Sequence, residues 1–160
     1  MPIPTYTALA TVTLGSTTSS VTFGSIPATY RDLVLIVDCK HISTGGIAVI
    51  MRFNGDSSNY SRVLMYGDGS SVASLTSTEL VAQFNDNTNN SIGVSDIMDY
   101  SATDKHKTIL TKTNWPSSGG FVTAQAQRWA STSAITSINV FYSGTNIASG
   151  STFSLYGVIA

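Results

Sequence analysis

Along this chain apolar side chains recur at every second position in short runs, with small polar residues between them. Tyr6, Ala8, Ala10, Val12 and Leu14 share one parity, and Thr7, Thr11 and Thr13 take the other. A period of two is that of a strand with one buried face, because successive side chains leave the backbone on opposite sides. Gly15-Ser16-Thr17-Thr18 ends this run, and Val21 with Phe23 continues the pattern as far as Ile26-Pro27. Pro27 has no N–H for a ladder, so it belongs in a loop or at a sheet edge.

Leu33, Leu35, Val37 and Cys39 lie on one face of the next run, while the other face starts apolar at Val34 and Ile36 and turns charged at Asp38 and Lys40. That is the pattern of a central strand covered on both sides at its start. Gly45-Gly46 separates it from Val49, Met51 and Phe53, whose opposite parity carries Ile50, Arg52 and Asn54. Asn54-Gly55-Asp56 predicts a turn, since Asn and Gly tolerate positive φ. Further strands are predicted at about 62–66, 78–84, 92–98 and 107–115, although the last does not alternate cleanly. Val122, Ala124 and Ala126 then oppose Thr123, Gln125 and Gln127; Ile138, Val140 and Tyr142 oppose Ser137 and Asn139; Phe153, Leu155 and Ile159 mark a closing strand.

No segment carries the i, i+3, i+4, i+7 stripe of an amphipathic helix. About ten short antiparallel strands with polar turns predict an all-β chain, a single β-sandwich domain over residues 1–160 with a jelly-roll-like path. At 160 residues such a domain buries roughly two-thirds of the surface its unfolded chain exposes. The longest apolar stretch, Leu33 to Val37, is far short of the ~20 residues of a membrane-spanning helix. The N-terminus lacks the basic start and apolar segment of a secretory signal, so synthesis in a cytoplasm is expected.

Composition narrows the chemistry. Forty-five residues are Ser or Thr, and eight basic residues against nine acidic ones leave a net charge of −1. Such a surface has no field to gather nucleic-acid phosphates or anionic lipid, so neither is an expected partner. Cys39 is the only cysteine, which excludes an intrachain disulfide and predicts a small buried side chain. His41 and His106 stand alone, without the His-x-His or His-Glu-x-x-His spacing of a metal site, and read as surface or loop residues. None of the 24 serines lies in Gly-x-Ser-x-Gly.

Asp96 and Asp99 fall on opposite parities of a strand, whereas glycoside hydrolysis needs two carboxyl groups facing one sugar. The Asp86–Asn90 run supplies oxygen ligands but lacks the Gly and bidentate Glu of an EF-hand loop. Gly67-Asp68-Gly69-Ser70 has no Gly-Lys-Ser/Thr and is not a P-loop. No catalytic, cofactor or metal site is therefore expected, and the candidate functional residues belong to a contact surface: Trp115, Trp129, Arg52 and Tyr60. Trp129 shares parity with Gln125 and Gln127, and Trp115 precedes Pro116 at a strand end, so both tryptophans are expected to be partly exposed. Exposed aromatics anchor protein interfaces or stack on sugars. With Tyr60 and Tyr100, these tryptophans would be the stacking surfaces of a carbohydrate- or receptor-binding module.

Three segments together carry a resemblance. They are Thr5-Tyr6-Thr7 through Leu14-Gly15-Ser16 to Val21-Thr22-Phe23 with Ile26-Pro27-Ala28-Thr29-Tyr30-Arg31-Asp32-Leu33-Val34-Leu35; Arg52-Phe53-Asn54-Gly55-Asp56 with Asn59-Tyr60-Ser61; and Thr152-Phe153-Ser154-Leu155-Tyr156-Gly157. In these the chain resembles small β-rich virion proteins of tailed bacteriophages, including cyanobacterial phages. The resemblance implies a structural role in the virion, as a capsid decoration (cement) protein or as a neck, tail or fibre component, and brings no catalytic residues. The partners implied are the major capsid protein or other virion proteins, with homo-oligomers, a trimer first among them. A low-charge Ser/Thr surface suits dense packing, because short hydroxyl side chains lose little rotamer entropy when buried.

Overall fold

The computed structural model describes residues 5–43, 47–85, 89–115 and 120–159. Twelve strands and no helix occur among them: β1 (Tyr6–Thr13), β2 (Ser20–Phe23), β3 (Asp32–Cys39), β4 (Ile47–Phe53), β5 (Tyr60–Gly67), β6 (Val72–Ser77), β7 (Leu80–Asn85), β8 (Ser91–Met98), β9 (Lys107–Trp115), β10 (Phe121–Trp129), β11 (Ile138–Tyr142) and β12 (Thr152–Val158). They form two antiparallel sheets, one of eight strands in the order β1-β12-β3-β8-β9-β10-β5-β6 and one of four in the order β2-β11-β4-β7. The fold is a β-sandwich. The count and the eight-to-four division differ from the eight strands of a jelly roll. The expected Gly45-Gly46 break and residues Asp86 to Thr88 of the oxygen-rich run lie outside the described residues.

Inward side chains of both sheets meet in one cluster that includes Leu33, Leu35, Val37, Met51, Phe53, Ile97, Ile109, Ile138 and Phe153. Alternation along β3 and β12 leads straight to it, with Leu33, Leu35 and Val37 against Phe153 and Leu155. β1 departs from the simple parity. A bulge between Ala8 and Ala10 adds a residue, so Leu9 and Val12 pack against the core while Tyr6 is 57% exposed. One inserted residue moves every later side chain to the other face.

β6 has no counterpart in the expected strands. It is an edge strand whose side chains are all exposed or half-exposed, so no buried face imprints a period on Val72-Ala73-Ser74-Leu75-Thr76-Ser77. Two glycines permit close approaches that a side chain would block. A Cβ on Gly93 of β8 would lie 2.0 Å from the Ala82 carbonyl oxygen, which is how β7 settles onto the large sheet. A Cβ on Gly157 would lie 2.3 Å from the Tyr30 ring, so that ring lies flat against bare backbone.

Candidate interaction surface

The large sheet is built with polar residues inside and apolar residues outside over much of its width. On β10 it is Thr123, Gln125, Gln127 and Trp129 that are buried, at 2–4% exposure, while Val122 is 72% exposed and Ala124, Ala126 and Arg128 share its outward side. β9 does the same, with Thr111 and Thr113 inward and Leu110 and Lys112 outward. The cause lies in β7, whose open edge must find hydrogen-bond partners inside the sandwich. Gln127 supplies them: its Oε1 accepts from the Val81 N–H at 2.6 Å, and its Nε2 donates to the Val81 carbonyl at 3.0 Å and to Thr111 Oγ1 at 2.7 Å. Thr111 in turn shares a 2.8 Å hydrogen bond with Ser95.

A second buried amide, Gln83, extends this layer. It accepts from Cys39 Sγ at 3.1 Å and donates to the Cys39 carbonyl at 3.2 Å and to the Ser91 carbonyl and hydroxyl. Cys39 is fully buried, as its composition-based reading expects, and also meets the Tyr142 hydroxyl at 3.2 Å. Arg62 reaches Gln125 Oε1 with Nη1 at 3.2 Å, and its burial pushes the guanidinium pKa down.

With polar groups taken inside, the outer face of the sheet is left apolar. Val63 is 47% exposed, Met65 56%, Val72 89%, Ile92 51% and Val122 72%. Register places them side by side: Met65 faces Ala124, Ala124 faces Lys112, Lys112 faces Val94, and Val94 faces Ile36. Gly67 lies between Val122 and Val72. The small residue Ala124 lies among taller neighbours, and the result is an open groove of about 1060 Å³ walled by Met65, Val72, Ile92 and Val122. Its charged wall residue Lys112 pairs with Asp96 at 3.5 Å; at 71% and 38% side-chain exposure such a pair contributes at most about 1 kcal/mol. Contiguous exposed apolar area of this kind marks contact sites.

The four surface residues expected from the sequence fare differently. Trp129 and Tyr60 face each other across β10 and β5 and are 2% and 7% exposed, so both are core residues and the expected partial exposure of Trp129 is corrected. The parity with Gln125 and Gln127 is as read; the side is reversed, because Gln127 serves β7 and Gln125 meets Arg62. Phe53 meets both rings edge-on, at 5.6 Å from Trp129 and 6.4 Å from Tyr60. Trp129 Nε1 donates to Asp56 Oδ2 at 2.8 Å, and the Tyr60 hydroxyl accepts from the Phe53 N–H at 3.0 Å and donates to the Asp56 carbonyl at 3.1 Å. Neither can anchor a partner. Arg52 is half-buried on the small sheet with its guanidinium 4.8 Å from the Phe141 ring centroid, away from the groove. Trp115 ends β9 opposite Phe121; its side chain lies outside the described residues.

The expected turn at Asn54-Gly55-Asp56 is present, with positive φ at Asn54 (51°) and Gly55 (73°). It organises this end of the sandwich. Asn54 Oδ1 accepts from the Thr136 and Ser137 N–H groups at 2.8 and 3.1 Å, and its Nδ2 donates to the Ala134 carbonyl at 2.8 Å. Asp56, hydrogen-bonded first by Trp129 and then by Ser58 and Asn59, has its pKa lowered to about 2.

Groups capable of chemistry are dispersed. His41, expected at the surface, is 1% exposed and packs edge-on against Tyr142 at 5.2 Å, whereas His106 is exposed. Asp96 lies on β8, and Asp99 follows in a turn with φ of 48°, paired at 3.4 Å with Lys105. Lys107 is fully buried with Nζ donating to the carbonyls of Ala102, Lys105 and Thr132 at 2.7, 2.9 and 3.4 Å, and burial pushes its pKa down. No group of three or more His, Cys, Asp or Glu that could hold a metal occurs among the described residues. Tyr100, fully buried, donates to the Pro27 carbonyl and accepts from the Tyr30 N–H at 3.3 Å.

The signal for the groove was present in the alternation of β5 and β10, where Trp129 fixes which parity of β10 is inward. Compared with known proteins, the chain matches no family model, no curated protein and no solved structure.

Proposed function

We propose that this chain is a non-enzymatic virion structural protein that decorates a phage capsid, packing the outer face of its eight-stranded sheet against the shell. The observation that carries the contact is the apolar outer face itself, with Met65, Val72, Ile92 and Val122 exposed around one groove. The capsid setting comes from the resemblance of the three segments to tailed-phage virion proteins. Burying about 800 Å² per partner on such a face is ordinary for a specific contact. Repetition over a lattice multiplies a modest affinity.

Purified protein is expected to bind capsid shells of the cognate phage stoichiometrically and to raise their resistance to heat. Met65→Glu and Val122→Glu are expected to abolish that binding while the chain stays folded. Absence of the polypeptide from purified virions by mass spectrometry would overturn the reading, and a low copy number per particle would move it to the neck or tail. Of the residues expected to stack on a sugar, Trp129, Tyr60 and Tyr100 are buried, and the Trp115 side chain lies outside the described residues.

A further inference from the structure

Each sheet has two edges, and three of the four are blunted. β7 is closed by Gln127, β2 has only four residues, and β1 carries a bulge between Ala8 and Ala10. Bulges, short length and side-chain caps are the ordinary means by which edges avoid pairing with other chains. β6 has none of them. Its six residues pair with β5 without a register shift, contain no charge and no proline, and leave Val72 89% and Leu75 53% exposed.

The Asp68 N–H donates to the Ser71 carbonyl at 3.3 Å, which fixes the phase of the β5–β6 ladder. By antiparallel alternation, Ala73, Leu75 and Ser77 bond to β5, and the N–H and C=O groups of Val72, Ser74 and Thr76 point away from the sheet. We propose that β6 pairs with β6 of a second copy of this chain about a two-fold axis through Ser74. In that register Ser74 faces Ser74, and Val72 of each copy faces Thr76 of the other. All three outward residues of each strand then make ladder bonds, and no charge lies opposite a like charge within the strand. The cost falls at the ends, where Asp68 of one copy approaches Glu79 of the other. An isologous contact of this kind is closed. Its axis stands perpendicular to the sheet, so the apolar outer faces of both copies lie on the same side and form one doubled surface. The contact proposes a dimer where the resemblance implies a trimer, and it is independent of any capsid.

Sedimentation of the purified chain alone tests it. At about 100 µM, well above a micromolar Kd, the wild type is expected at twice the 16.9 kDa chain mass. Ser74 is exposed, so Ser74→Lys and Ser74→Asp are expected to fold normally by circular dichroism. Each alone places like charges on the axis and is expected to weaken dimerisation roughly 100-fold. An equimolar mixture of the two places opposite charges there and is expected to restore the dimer. A monomeric or trimeric wild type, variants that dimerise as well as wild type, or a mixture that stays monomeric would each overturn the proposal.

Discussion

Gln127 holds Val81 at both of its backbone polar groups, as a neighbouring strand would, with the side-chain amide taking the place of a peptide. Replacing Gln127 by Leu leaves the Val81 N–H and C=O without partners in the sandwich interior. Each buried orphan costs about 1–3 kcal/mol, so the two left by Gln127→Leu are expected to lower the free energy of unfolding by about 2–6 kcal/mol. Urea titration should show a lower midpoint at an unchanged m-value. An unchanged midpoint would mean that water replaces the amide.

Asp56 gives the fold a leg of acid sensitivity. Its carboxyl titrates at about 2 when folded, against an ordinary value of 3.8, chiefly because Trp129 and then Ser58 hydrogen-bond the charged form. Between these values the unfolded chain binds more protons than the folded one, so the stability that Asp56 contributes is full above about pH 4 and is lost as pH falls toward 2. Asp56→Asn is expected to be less stable than wild type at pH 7 and to show a shallower decline between pH 4 and 2. Thermal unfolding across that range, for both proteins, measures the difference.

Gly93 and Gly15 make a matched test of sheet spacing. Gly93→Ala drives a methyl group against the Ala82 carbonyl oxygen, whereas the same change at Gly15 meets nothing within 4 Å. Gly93→Ala is expected to cost about 3 kcal/mol or more by overpacking. Gly15→Ala should stay within about 0.5 kcal/mol of wild type. Equal midpoints for the two would refute the close approach of β7.

Charge on the outer face should leave the fold alone. Met65→Glu and Val122→Glu change side chains that are more than half exposed, and surface changes of this type stay within about 0.5 kcal/mol. Both are expected to reduce binding of a hydrophobic dye to the native protein. Gln125→Leu, on the same strand but 2% exposed, removes the acceptor of the Arg62 guanidinium and is expected to destabilise instead.

Much of this architecture is legible in the amino-acid pattern. β3 and β12 announce themselves because Leu33, Leu35 and Val37 share one parity on a continuous apolar run and Phe153 and Leu155 alternate with Ser154 and Tyr156, and the Asn54-Gly55 turn is written in residues that accept positive φ. What escapes the pattern has a physical reason in each case. β6 buries nothing and so has no period. β1 changes face at a bulge, and β10 turns Gln127 inward for the sake of a strand in the other sheet. The groove follows from that inversion, since binary patterning assigns Thr and Gln to solvent when no partner strand is known. Tyr60 and Trp129 are conspicuous in the sequence for their size, and they spend that size on the core.

β12 lies between β1 and β3 in the large sheet, and among the described residues it is β1's one ladder partner. The strand that the ribosome delivers last among the twelve thus fills a gap between two of the first three. Until it arrives, β1 has no ladder to join and β3 keeps one side open, however long the rest of the sandwich has been assembled. Closure over such a sequence separation is slow, and a nascent chain waiting for it presents unpaired strand edges to its neighbours. A chain made in many copies at once would meet this hazard at its worst, which makes the pace of the final strand a determinant of yield.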